Sequence, residues 1–332
     1  MRFDNPIYNH WFRFPDLAEF PDYGNEERRI GKYDITRLYN AVDSGNLNDF
    51  LGVMASFTDQ NTSWFKKLPL FFNFYQNFKP QSKKGSGSIF EKLYEYGVAQ
   101  TQVDEFDELK NKLQPKIDAW LEKEDWKPTP GTYDRGEMLD KSYIEYVNTV
   151  FAKHGILRAA SDYYGNVKEV AGVYLHICTP TDFHYKQFFR DASTVGKFIN
   201  THIDPKENVV KAIVYLEKAY LDNGPFRYVP TSNRFMHDPV QNIIGRAITS
   251  GNYCETPEQR KSVFMLPRHL RVSHNFGRCI RPGTRIYKDM DDKLRSFTSN
   301  NGNTIIFDPG AGMHQGGIVT NGMRINLQVL MK

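Results

Sequence analysis

From about residue 165 onward the sequence is a succession of short β-rich runs broken by turn residues, and this pattern limits the fold more than any other feature. Val170 to Ile177, Val209 to Leu216, Phe226 to Val229, Thr304 to Phe307 and Arg324 to Met331 are rich in β-branched, aromatic and aliphatic residues, which pack well on a pleated surface. Asp222-Asn223-Gly224-Pro225, Asn300-Asn301-Gly302-Asn303 and Asn321-Gly322 lie between several of them. Such residues supply the positive φ that tight turns need. No helical pattern alternates with these runs, which argues against a βαβ arrangement and for an antiparallel sandwich or barrel. The 24 Phe and 19 Tyr in 332 residues suit a sheet-rich core.

The first half reads differently. From Ile89 to about Glu124 the chain is rich in Glu, Lys, Leu and Gln, with Val103, Phe106, Leu109, Leu113, Ile117 and Leu121 at three- and four-residue spacing. That spacing predicts one or two amphipathic helices whose apolar faces pack into a core. Pro128, Pro130 and Gly131 break the pattern, and Ser142 to Phe151 predicts a further helix ended by Gly155. The expected fold is mainly β with flanking α: a helix-rich region over 1–160 packed on a β core over 161–332. Residues 241–295 form an insertion in that core with eleven Lys or Arg against five Asp or Glu, a net of +6 against +4 for the whole chain. It is either a solvated basic loop or a lid over a site for an anionic substrate.

Composition excludes several classes of protein. Hydrophobic residues at 40% are too many for a disordered chain. The small net charge gives no global field for nucleic acid, so no nucleic-acid partner is expected. No apolar run approaches the roughly 20 residues that span a bilayer, so no membrane segment is expected. Three widely spaced cysteines, Cys178, Cys254 and Cys279, fit a reducing compartment and thiols that are buried or idle. The sequence Met1-Arg2-Phe3-Asp4-Asn5-Pro6 has no basic-then-apolar secretory pattern. A cytoplasmic location is the expectation.

The chemistry concentrates in a few residues. In Thr201-His202-Ile203-Asp204-Pro205, an extended backbone sends His202 and Asp204 to the same face. Alone, one His-x-Asp is a weak signal. Downstream, His314 follows a strand and a glycine-rich turn, within Met313-His314-Gln315-Gly316-Gly317. Two His and one carboxylate make the facial triad of non-haem Fe(II) oxygenases. In Arg324-Ile325-Asn326-Leu327-Gln328-Val329-Leu330-Met331, polar residues alternate with apolar ones. That polar face either meets water or lines a pocket. In the second case the Arg324 guanidinium suits the distal carboxylate of 2-oxoglutarate. His176, His184, His237, His269 and His274 lack a carboxylate at metal spacing and are expected to be structural or surface groups.

His202-x-Asp204, Asn223-Gly224-Pro225-Phe226-Arg227-Tyr228-Val229-Pro230-x-Ser232, Gly302-Asn303-Thr304-Ile305-Ile306-Phe307-Asp308, His314-x-Gly316-Gly317 and Asn321-x-x-Arg324 together resemble the phytanoyl-CoA dioxygenase family. The resemblance covers about residues 165–332. It implies a double-stranded β-helix (jelly-roll) core, iron on His202, Asp204 and His314, 2-oxoglutarate on Arg324, and O₂ as second cosubstrate. It further implies cosubstrate contacts from Lys186 or Gln187, which lie shortly before the His-x-Asp segment. The family often follows a Val-Pro-Gly-Ser segment with His; this chain reads Val229-Pro230-Thr231-Ser232-Asn233-Arg234, which makes Arg234 a candidate substrate contact in its place. The implied activity is hydroxylation of an unactivated C–H bond, with succinate and CO₂ released; the expected substrate is small or medium and polar, and anionic if the basic insertion is a lid. A carboxylate at 204, where related halogenases carry a small residue, favours hydroxylation over halogenation. The alternatives are a non-catalytic jelly-roll binding protein and a cupin-like metal-dependent hydrolase or isomerase.

Overall fold

The computed structural model describes residues 32–56, 85–122, 134–178, 204, 209–233, 240, 242–243, 292–299, 302–317 and 319–332. The chain divides into two compact units: Met1–Gln81 with Ile203–Glu207 and Arg234–Asp292, and Ser82–His202 with Asn208–Asn233 and Lys293–Lys332. The basic insertion lies largely outside the described residues.

In the first unit, α1 (Lys32–Ser44) and α2 (Leu47–Ser56) pack together across a turn at Gly45. Leu38, Ala41, Phe50 and Val53 are buried. Across the turn, Arg37 forms an ion pair with Asp49.

The second unit begins with α3 (Ser88–Tyr96), β1 (Val98–Gln102), α4 (Phe106–Leu121), β2 (Asp134–Met138), α5 (Lys141–Lys153) and α6 (Ile156–Tyr164). The amphipathic stretch expected as one or two helices is therefore two helices with a strand between them. Gly97, with φ 77°, ends α3 by sending its N–H back to Leu93. Glycine enters this left-handed region without a Cβ penalty, and the chain leaves extended into β1. The α5 helix starts where the Asp140 side chain accepts from the Ser142 N–H at 3.0 Å, an N-cap that satisfies one orphan donor.

Among the described residues seven strands follow: β3 (Val170–Cys178), β4 (Val210–Tyr215), β5 (Arg227–Tyr228), β6 (Arg295–Ser296), β7 (Asn303–Phe307), β8 (His314–Gln315) and β9 (Arg324–Met331). Every pairing is antiparallel. One sheet has six strands in the order β1-β7-β4-β9-β3-β2; the other has three in the order β6-β5-β8. The helix-rich N-terminal region thus supplies both edge strands of the larger sheet, which its helical periodicity did not signal.

Period-two alternation sorts the side chains of this sheet into two cores. Val173, Leu175 and Ile177 of β3, Ala212 and Val214 of β4, Ile306 of β7 and Ile325, Leu327 and Val329 of β9 pack with Phe90, Leu113, Val147, Phe151 and Leu157 of the helices. On the opposite face Ile213, Tyr215, Ile305 and Phe307 pack with Phe226 and Tyr228 of the β5 region. The larger sheet therefore carries helices on one side and the smaller sheet on the other. The even-numbered polar positions of β9 fall on the side of the smaller sheet.

Candidate functional site

His314 opens β8, where it pairs with Tyr228 of β5. It is 5% exposed, with ring centroids 5.1 Å from Phe307 and 5.9 Å from Phe226. Its Nδ1 lies 2.9 Å from the Gly312 carbonyl. A carbonyl only accepts, so Nδ1 carries the proton and the lone pair is on Nε2. This second-layer bond fixes both tautomer and ring orientation, as metal-binding histidines require.

The turn before His314 is knitted by Asp308. Its Oδ1 accepts from the Gly310 N–H at 2.9 Å, its Oδ2 from the Tyr164 hydroxyl at 2.8 Å, and its carbonyl from the Gly312 N–H at 3.0 Å. A Cβ at Gly312 would lie 1.5 Å from the Tyr228 hydroxyl, so only glycine fits there. Burial drives the Tyr228 phenol well above its ordinary range, and the charge of Asp308 pushes it the same way.

A second brace comes from the Val229–Ser232 turn. The Met313 N–H donates to Ser232 Oγ at 2.8 Å, and the Val229 N–H to the Met313 carbonyl at 2.9 Å. Asn233, at the position where the family often has His, is fully buried and donates from Nδ2 to the Leu93 carbonyl at 3.2 Å. Here that position serves the end of α3.

Arg324 begins β9 opposite Cys178 of β3. It is 6% exposed, donating from Nη1 to the Gly317 carbonyl and from Nη2 to Cys178 Sγ, each at 3.1 Å. Asn326, next on the same face, is 7% exposed. Of the two orientations open to the polar face of β9, its first two residues take the buried one. Tyr215 lies in register with Asn326, and its hydroxyl accepts from the Phe226 N–H at 2.7 Å. Burial pushes its phenol up to about 12, with the positive charge of Arg324 pulling the other way.

Asp204, in the first unit, is buried at 6% exposure. His202, Lys186, Gln187 and Arg234 lie outside the described residues, as does the presumed strand around His202. Among the described residues no group of three or more His, Cys, Asp or Glu is placed to hold a metal ion, and no helix is long and apolar enough to cross a membrane. Sequence reading took Cys178 as a buried or idle thiol and Asn326 as part of the polar face of the last strand, without linking either to Arg324. Their signal was present in the alternation of β3 and β9, which puts both on the face of Arg324.

The sequence matches no protein-family model and no curated protein. Among solved structures, it is similar to the epimerase SnoN in complex with Fe3+, alpha ketoglutarate and nogalamycin RO, at 11% identity and TM-score 0.44 over 73% of this chain and 81% of that one. It is similar to the non-heme alpha ketoglutarate dependent carbocyclase SnoK from nogalamycin biosynthesis, at 10% identity and TM-score 0.45 over 76% and 87%. EctD from S. alaskensis, with 2-oxoglutarate and 5-hydroxyectoine, gives 12% identity and TM-score 0.43 over 76% and 78%.

Proposed function

We propose that this chain is an Fe(II)- and 2-oxoglutarate-dependent dioxygenase on a double-stranded β-helix core, hydroxylating a small or medium polar substrate that carries anionic groups. The observation that supports it most is the pairing of roles on the last two strands. His314, on the smaller sheet, has its tautomer set by Gly312, and Arg324, on the larger, is buried with the Gly317 carbonyl and the Cys178 thiol among its partners. The strand order supports the core: β9 runs between β3 and β4, and the chain steps between sheets from β4 to β5, β6 to β7, β7 to β8 and β8 to β9. Such stepping is how a jelly roll closes.

The donor types fit a ferrous ion, which takes imidazole and carboxylate ligands. His202, Asp204 and His314 would hold it. Bound iron with 2-oxoglutarate and O₂ supplies an oxidant able to attack an unactivated C–H bond, releasing succinate and CO₂. The chain's own residues orient and shield. Phe226 and Phe307 hold the His314 ring and keep water from it. Arg324 would grip the distal carboxylate of 2-oxoglutarate, exchanging the Cys178 thiol, a weak acceptor, for a carboxylate oxygen. Lys186 or Gln187 would add cosubstrate contacts and Arg234 a substrate contact. The three cysteines favour a reducing compartment such as the cytoplasm.

The test is to supply purified protein with Fe(II), ascorbate and 2-oxoglutarate and to measure succinate and bound metal together. Succinate release is expected, with about one metal per chain, and His314→Ala or His202→Ala should lower metal affinity at least tenfold. Metal binding that neither substitution alters would overturn the assignment.

A further inference from the structure

We infer that Arg295 is a specificity-determining residue of this site, gripping a carboxylate or phosphate carried by the substrate; this rests on the function proposed above. Arg295 opens β6, the strand at one end of the smaller sheet's order. It pairs with Tyr228 of β5, and Tyr228 pairs in turn with His314 of β8. Residues directly opposite in an antiparallel ladder project to the same face, so Arg295, Tyr228 and His314 form one row. Contacts at both ends of the row fix which face that is. Tyr228 and the His314 ring meet Phe307 of the larger sheet. Phe297, two residues after Arg295, packs with Phe226 in the core between the sheets, and side chains at i and i+2 share a face. Arg295 therefore leaves β6 on the face that carries His314, with the two Cα atoms about 10 Å apart across two strand spacings.

Burial falls off along the row. His314 and Tyr228 are buried, whereas Arg295 is exposed, so a ligand coming from solvent meets the guanidinium before the imidazole. Two residues earlier the Lys293 ammonium is buried, which leaves Arg295 as the cation of this short segment that opens to solvent. Arg227, next to Tyr228 on β5, leaves on the opposite face by alternation. A guanidinium is a planar fork of N–H donors that matches a carboxylate or phosphate with two hydrogen bonds. Set two strands from the histidine proposed to bind metal, it selects a substrate whose anionic group and reacting carbon lie several bonds apart, and it turns that carbon toward His314. Arg324 is buried on the larger sheet. The two arginines thus grip different anions, the cosubstrate inside and the substrate at the rim.

The test uses the full chain loaded with Fe(II) in the absence of oxygen and saturated with N-oxalylglycine, an unreactive analogue of 2-oxoglutarate that occupies Arg324. Phenyl phosphate, phenylacetate, 2-phenylethanol and 2-phenylethylammonium are then titrated by calorimetry. Wild type should bind one of the two anions about fivefold tighter than the alcohol, the upper range for an exposed ion pair. The tighter anion identifies the group the substrate carries. Arg295→Gln should remove the preference, and Arg295→Lys should keep part of it. Arg295→Glu should favour the ammonium over both anions, a gain that damage to the fold would not produce. A wild type that binds none of the four probes, or binds anions and alcohol equally, overturns the inference alone, as does an unchanged order of affinities in Arg295→Gln and Arg295→Glu. A wild-type chain that binds neither Fe(II) nor N-oxalylglycine overturns the proposed function and the inference with it.

Discussion

Thr231 has φ 68°, and among the described residues no other side-chain-bearing residue has positive φ. It follows Pro230 in a turn closed by the Ser232 N–H on the Val229 carbonyl at 3.2 Å, and a turn with Pro at its second position and positive φ at its third favours Gly there. A β-branched residue in the left-handed region costs roughly 1–2 kcal/mol. The surroundings hold it: the Thr231 N–H donates to the Tyr96 carbonyl at 2.9 Å, and Ser232 is tied to Met313. Thr231→Gly is expected to stabilise the chain by about 0.5–1 kcal/mol, less than the full relief because glycine has more unfolded-state freedom to lose. Urea denaturation should show a higher midpoint; a lower one would mean that the threonine contributes contacts outweighing the strain.

At the scale of elements, Glu105 ties the start of α4 to the end of α5. Its carboxylate meets Lys153 Nζ at 2.5 Å and His154 Nε2 at 2.8 Å, while the Tyr146 hydroxyl donates to its carbonyl at 3.0 Å. The Lys153 hydrogen bond, then a backbone hydrogen bond and His154, lower the Glu105 carboxyl from 4.5 to about 2. A carboxyl whose folded value is depressed contributes stability above its unfolded value and loses it as pH falls through the folded one. The contribution of Glu105 is therefore complete above about pH 4.5 and fades toward pH 2. Glu105→Gln should be less stable than wild type at pH 7, by under about 1 kcal/mol because the partners are partly exposed. Denaturation curves should converge as pH falls from 4.5 to 2; a constant gap across that window would assign the effect to packing.

For the whole molecule, ligand binding and folding share one equilibrium. A ligand at 100 times its dissociation constant adds about 2.7 kcal/mol to the folded state. In a folded unit of this size that corresponds to a rise in Tm of several degrees. Metal with N-oxalylglycine should raise the Tm of wild type by that amount, and of Arg324→Met by much less, since the substitution removes the fork that binds carboxylate. Equal shifts in both proteins would show that the carboxylate is held elsewhere.

The residue pattern alone determined the antiparallel character of the β region, because period-two alternation and Asn-Gly turns are local properties: β9 runs from Arg324 to Met331, the limits read from its alternation. It also marked His314 and Arg324, whose residue types stand out beside glycines and on an alternating strand. The strands β1 and β2 were hidden, since Val98–Gln102 and Asp134–Met138 are short and owe their extension to pairing with β7 and β3. Only tertiary structure decided that the polar start of β9 is buried, because a strand's pattern distinguishes its two faces without saying which one meets water. The contact of Cys178 with Arg324 was settled at that level too: 146 residues of chain separate them, and their meeting depends on the register of β3 against β9.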